Sequence, residues 1–183
     1  MPVIPSGFNA PPPQWQASDY ALQAWAFDPD LGVATSTPLA TAGVAFLVGL
    51  QLRQQTLISN IVTFLVTAGA TLTAGQCFAG VYNSAGTQQG VTADQSVNWA
   101  GTGVLTMALT APVTLPAGTY RVAYLFNGTT GPAILRGNSL SAVNLGLTGS
   151  GLRNATSGAA QTALPGTLAA PAAASTAFWA GLS

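Results

Sequence analysis

The residues that could do chemistry are few in this chain of 183 residues. It contains no His, Glu or Lys, and its charged side chains are four Asp and four Arg. General acid–base catalysis needs a group that titrates near the working pH, which His supplies most often. A serine nucleophile would likewise lack a His or Lys to activate it. The composition therefore predicts that the protein is not an enzyme, and we assign no catalytic residues.

The remaining ionisable groups offer little for a metal or a cofactor. Asp28 and Asp30 form the one close carboxylate pair, but Ca²⁺ prefers several oxygen ligands, and nothing at a suitable spacing completes the set. We expect these side chains to bind their own backbone in a turn. Cys77 is the single cysteine, and we expect a small core residue. No metal and no cofactor are predicted.

Tryptophan is the residue type most able to contact a ligand, since its indole combines an apolar face with an N–H donor. Trp99 follows the polar run 94–98 and is the best candidate for a ligand contact, with burial in the core as the alternative. Trp15, Trp25 and Phe27 lie in a proline-rich segment, where they could anchor the chain in pockets of a neighbouring subunit.

Charge narrows the classes of partner. Charged residues make up 4% of the chain, against about 25% in ordinary soluble domains, and the formal net charge is zero. No basic patch is available for phosphates, so nucleic-acid binding is not expected. No stretch of about 20 apolar residues could span a membrane, and the first residues do not form a signal peptide. A neutral surface lacks the self-repulsion that keeps monomers apart, which predicts a homo-oligomer, with a trimer as our first expectation.

The elements that would position these residues fall into two parts. Residues 1–38 hold seven of the twelve prolines together with five large aromatic residues, which predicts an extended arm that includes the polyproline run 11–13. We expect this arm to dock on a neighbouring subunit or on its own domain. Residues 39–183 are predicted to form one β domain that folds without the arm.

Alternating apolar residues and turn signals predict about eight short strands in that domain. The main candidates are 44–52, 57–67, 78–82, 104–110, 120–126, 133–136, 142–147 and 177–182. This pattern is typical of an all-β sandwich, and we expect the jelly-roll type. The core is predicted to include Phe46, Val48, Phe64, Val66, Phe78, Tyr120, Val122 and Tyr124.

Several strand-and-turn phrases resemble a known class of proteins. The phrases are residues 68–86, residues 115–120 and the closing residues 177–180. Together they resemble small β-sandwich virion proteins of tailed bacteriophages, particularly those of actinobacteria. The resemblance covers most of residues 40–183 and implies a virion component made in the host cytoplasm, with no catalytic residues to transfer.

Three functions are compatible with these observations. The first is an exposed minor tail or fibre-type protein that contacts other virion proteins and a host cell-wall glycan. The second is a capsid decoration protein that cements the head lattice through its N-terminal arm. The third is a cellular carbohydrate-binding module, which is less expected because neither a catalytic domain nor a signal peptide accompanies it.

Overall fold

The computed structural model describes residues 15–33, 37–137, 139 and 141–183. In these residues the chain forms eleven strands, and its helical segments are 3-10 turns of three or four residues. The strands are β1 (Ala24–Trp25), β2 (Ala45–Leu52), β3 (Thr56–Thr67), β4 (Phe78–Asn83), β5 (Gln88–Val91), β6 (Gly103–Leu115), β7 (Gly118–Leu125), β8 (Ala133–Ile134), β9 (Asn154–Ser157), β10 (Ala172–Ala173) and β11 (Gly181–Leu182). None of the described residues forms a helix long and apolar enough to cross a membrane.

The strands form two antiparallel sheets that pack face to face. The first sheet has the order β1-β11-β3-β6, with β8 also paired to β3, and the second has the order β10-β9-β2-β7-β4-β5. Apolar side chains from both sheets form one continuous core between them. The predicted all-β sandwich is therefore confirmed.

The strand pairing also has the nested order of a jelly roll. Strands β8, β9 and β10 are insertions between β7 and β11, and without them eight strands remain. Among those eight, β1 pairs with β11, β2 with β7, β3 with β6 and β4 with β5. The first strand therefore pairs with the last, and each following pair is nested within the previous pair in chain order. The predicted jelly-roll type follows from this pairing.

The buried residues of β2 and β7 confirm the predicted alternation of inward-facing apolar residues. Phe46 and Val48 of β2 and Tyr120, Val122 and Tyr124 of β7 all belong to the buried cluster between the sheets. The long β7 run is buried along nearly its whole length because it is a central strand, paired with β2 on one side and β4 on the other.

Three predicted core positions are wrong. Phe64 is 36% exposed and Val66 is half-buried, because the β3–β6 register shifts between Ile58 and Asn60. A bulge of this kind reverses which residues of a strand face inward, so Ile61 and Leu65 occupy the core instead. Phe78 is half-buried and packs on the outer face of its sheet.

The predicted arm of residues 1–38 also needs correction. Ala24 and Trp25 form β1, which pairs with β11 as the first strand of the jelly roll, and Leu22 and Ala26 are buried. The later part of this segment therefore belongs to the sandwich, because apolar residues at alternate positions there complete a sheet edge. The polyproline run 11–13 lies outside the described residues. The strand predicted at 142–147 is replaced by a 3-10 turn, Ser141–Asn144.

A second apolar layer covers part of the outer face of the second sheet. Ala45 and Leu47 of β2 and Ala123 of β7 point away from the central core and pack against Leu152 and Leu164. This second apolar layer ends near the middle of β2. The rest of that sheet face borders a groove that Gly49, Gln51, Thr119 and Arg121 help to line.

Candidate functional site

Trp99, the predicted ligand contact, lies in the core. It has no exposed surface, its indole N–H contacts Met107 Sδ at 3.3 Å, and its ring packs edge-on against Tyr124 with centroids 6.3 Å apart. The polar residues before Trp99 lead into the 3-10 turn Asn98–Ala100, and the Trp99 side chain packs in the core between the sheets. This corrects the prediction, since a ligand cannot reach the ring.

Two of the three predicted inter-subunit anchors contact their own domain. Trp25 and Phe27 are half-buried and pack with the cluster of Leu22, Val62 and Trp179. The indole N–H of Trp179 also donates a hydrogen bond of 2.9 Å to the carbonyl oxygen of Phe27. These contacts place the segment on its own sandwich, which is one of the two docking modes expected for it.

Trp15 remains accessible, with 60% of its surface exposed. Its ring meets Tyr20 edge-on at a centroid distance of 6.2 Å, and Tyr20 meets Trp25 at 5.4 Å. The three rings thus run from the sandwich edge outward. Trp15 is the predicted anchor that the fold leaves available to a partner.

A groove of about 880 Å³ lies beside this aromatic row, where β1 of one sheet approaches β2 of the other. It also reaches the turn at 149–152, which precedes β9. Three of the four arginines of the chain line it: Arg53, Arg121 and Arg153. Its lining, which falls wholly within the described residues, contains no Asp, so the groove is cationic in a protein of zero net charge.

Strand register places two of these arginines on either side of Gly49. Gly49 on β2 is the register partner of Arg121 on β7, and its N–H donates a 2.6 Å hydrogen bond to the carbonyl oxygen of Arg153. A Cβ on Gly49 would lie 3.0 Å from Arg153 Cα, so glycine permits the close approach. The two arginines therefore flank a gap with no side chain.

The guanidinium of Arg121 is buried, with 4% of the residue exposed. Its Nη2 donates hydrogen bonds to the carbonyl oxygens of Ser150 and Leu152, and no carboxylate faces it. Burial lowers the pKa of Arg121, but an arginine side chain keeps its charge at neutral pH. A buried charge with neutral partners alone is costly, which makes this position the electrostatic centre of the groove.

Arg153 is held at the rim by its own backbone. Asn144 Oδ1 accepts hydrogen bonds of 3.0 Å from the N–H groups of both Arg153 and Asn154, and Asn144 Nδ2 donates to Asn154 O at 2.6 Å. The Arg153 side chain is exposed and its Nη2 donates to Ala26 O at 3.1 Å. Arg53 is also exposed, at the end of β2.

The carboxylate of Asp28 stabilises a turn outside the groove. Asp28 Oδ1 accepts a 3.0 Å hydrogen bond from the N–H of Asp30, as the turn interpretation predicts. Among the described residues, no group of three or more His, Cys, Asp or Glu could hold a metal ion. Cys77 is fully buried, which confirms its predicted place in the core.

Sequence reasoning missed the groove. Its three arginines lie at positions 53, 121 and 153, and no motif joins them. One signal was present: Arg121 interrupts the outward face of an otherwise apolar strand, and a charge there calls for a dedicated environment. The chain matches no protein-family model and shows no significant similarity to a curated protein.

Proposed function

We propose that the chain is a non-catalytic structural protein of a phage particle, in an exposed tail or fibre-type position, that assembles as a homo-oligomer. Three observations support this. The jelly roll is an architecture that viral capsid and lectin domains use. The surface carries few charges. The strand-and-turn phrases resemble phage virion proteins.

The observation that carries the assembly part is the outer face of the β1-β11-β3-β6 sheet. Phe64 on β3 and Val104 on β6 are register partners on this face, and they are 36% and 74% exposed. Neither β3 nor β6 contains a charged residue along its length. Apolar side chains side by side on an uncharged face form a surface that protein interfaces commonly cover.

A second copy of the chain fits this face best. A neutral apolar face needs no complementary charge on its partner, and another such face is present on every copy. A trimer remains our first expectation for the number of copies.

Sedimentation equilibrium on the full chain and two variants tests this proposal. Phe64→Lys places a charge in the proposed interface and is expected to shift the protein to monomer. Val97→Lys is the matched control, because Val97 is 84% exposed in the loop before β6 and should leave the oligomer intact. A parent protein that is monomeric at micromolar concentration, or equal effects of the two substitutions, would contradict the proposal.

Capsid decoration is the alternative, and the exposed Trp15 favours it. An exposed aromatic ring of this kind could insert into a lattice pocket of a head protein. Trp15→Ser should then abolish binding to purified heads while oligomerisation persists. If the protein is instead a tail or fibre-type component, neither the parent nor the Trp15→Ser variant should bind heads.

A further inference from the structure

We infer that the groove lined by Arg53, Arg121 and Arg153 binds an acidic saccharide, meaning a sugar that bears a carboxylate or a phosphate group. The inference rests on the exposed tail or fibre-type position of the proposed function and is independent of the assembly interface. Trp99 cannot supply an adhesive site because it is buried. The groove, in contrast, is open to solvent on the outer face of the β10-β9-β2-β7-β4-β5 sheet.

The placement of charge points to an anion. The chain has four cations, and three of them converge on one groove whose lining contains no carboxylate. The fourth, Arg136, lies elsewhere, with its Nη1 hydrogen-bonded to Ser139 Oγ at 2.6 Å. Without a ligand, three like charges in one groove repel one another, so a bound anion would relieve a cost that the fold otherwise carries.

Arg121 supplies the second observation. Both of its hydrogen bonds use Nη2. Its Nε and Nη1 donate no hydrogen bond among the described residues, and Arg121 is part of the lining of the groove. A guanidinium fixed by neutral carbonyls, with donors left over, is preorganised for a carboxylate or phosphate.

The rest of the lining fits a sugar. Neutral amide and hydroxyl side chains surround the arginines, namely Gln23, Gln51, Gln54, Thr56, Ser84 and Thr119. Such groups match the hydroxyls of a saccharide, and the half-buried Trp25 adds an aromatic wall of the kind on which sugar rings stack. The volume of about 880 Å³ lies within the range for small-ligand sites.

A nucleic acid fits less well. Its backbone requires a track of several cations, whereas this groove ends after three, and Asp28 and Asp30 lie near Tyr20 beside the same aromatic row. The charge of the groove is thus concentrated at one point. A single acidic group on an otherwise neutral sugar matches that distribution.

Calorimetric titration of the full chain tests the inference with four probes: tetragalacturonate, its fully methyl-esterified form, galactose 6-phosphate and octathymidylate. We expect binding of tetragalacturonate or of galactose 6-phosphate, and the better binder identifies carboxylate or phosphate as the recognised group. Esterification should abolish the binding of tetragalacturonate because it removes the charge and leaves the sugar.

Variants at the exposed arginines locate the site without disturbing the core. Arg53→Gln together with Arg153→Gln should weaken binding by at least about tenfold, since two charge-assisted contacts are lost. Arg136→Gln is the matched control and should change the affinity by less than about twofold, because Arg136 does not line the groove. Unchanged melting temperatures would show that the variants fold.

Three results would overturn the inference: no binding of either acidic saccharide, equal binding of the esterified sugar or of octathymidylate, or unchanged affinity in the double variant. Sedimentation of the same samples separates the two proposals. An intact oligomer that fails to bind the acidic probes removes the saccharide site and leaves the assembly proposal standing.

Discussion

The hydroxyl of Tyr124 donates a hydrogen bond of 3.2 Å to the carbonyl oxygen of Trp179, and this bond joins the two sheets across the core. Tyr124 lies on β7 of one sheet, whereas Trp179 immediately precedes β11 of the other. The hydroxyl of Thr63 on β3 donates to the same carbonyl at 3.3 Å. One backbone oxygen therefore accepts from both sheets.

Tyr124→Phe should lower the free energy of unfolding by about 1 kcal/mol, since Thr63 still satisfies the carbonyl. Thr63→Val should have a similar effect for the same reason. The double variant should cost more than the sum, because it leaves a buried carbonyl without a donor. Urea denaturation of the four proteins checks this, and strict additivity would show that the two bonds act independently.

Trp99→Ala should destabilise the fold by about 3–5 kcal/mol, as large aromatic truncations in cores do. The reason is its complete burial against Met107 and Tyr124. The measurement is the urea midpoint at constant m-value. A cost below about 1 kcal/mol would instead mean that the ring is accessible, and it would restore Trp99 as a ligand contact.

Stability should fall in acid through Asp94. Burial raises the pKa of Asp94, but hydrogen bonds from the Ser96 hydroxyl and from the N–H groups of Gly75, Cys77 and Ser96 outweigh it, so the pKa lies below its ordinary value of 3.8. The unfolded chain therefore binds a proton more readily than the folded one. The contribution is present in full above the ordinary pKa and is lost as the pH falls through the folded pKa.

Thermal melts between pH 7 and pH 2 test this linkage. Asp94→Asn should be less stable than the parent at pH 7, and the difference should shrink as the pH drops below about 4. Ser96→Ala removes one donor and should produce a smaller change of the same sign. A difference between parent and Asp94→Asn that is constant with pH would exclude the Asp94 carboxylate as the source.

Removal of residues 1–38 should unfold or aggregate the protein. The deletion takes away β1, exposes the edge of β11 and uncovers the cluster around Trp179. The fragment 15–183 is the control, because it keeps every contact of the described residues with the sandwich. Circular dichroism that shows a folded fragment 39–183 with a parental melting temperature would mean that β1 is dispensable.

The sequence predicts the sandwich well where alternation is strict. Tyr120, Val122 and Tyr124 alternate over a regular strand, and their inward face follows directly from a period of two. The same rule fails for Phe64, because the register shift between Ile58 and Asn60 reverses the inward face within an otherwise continuous strand. Local pattern cannot reveal a shift that depends on the partner strand.

The candidate site was harder to predict for a related reason. Arg121 and Arg153 lie on either side of Gly49 of β2, although they are 32 positions apart in the sequence. Trp99 was wrongly predicted to be accessible, because its polar neighbours in sequence indicated a solvent-exposed loop. In both cases the environment of a side chain is set by residues distant along the chain, which a single sequence does not specify.

The most direct test of the proposed virion role is a cryo-EM reconstruction of the particle to which the proposal assigns the chain. The account predicts density for oligomers of this jelly roll on an exposed part of the tail or a fibre. The outer face that carries Phe64 and Val104 should be buried between copies. Particles that lack the protein altogether, or that hold it as isolated monomers with this face open, would contradict the account.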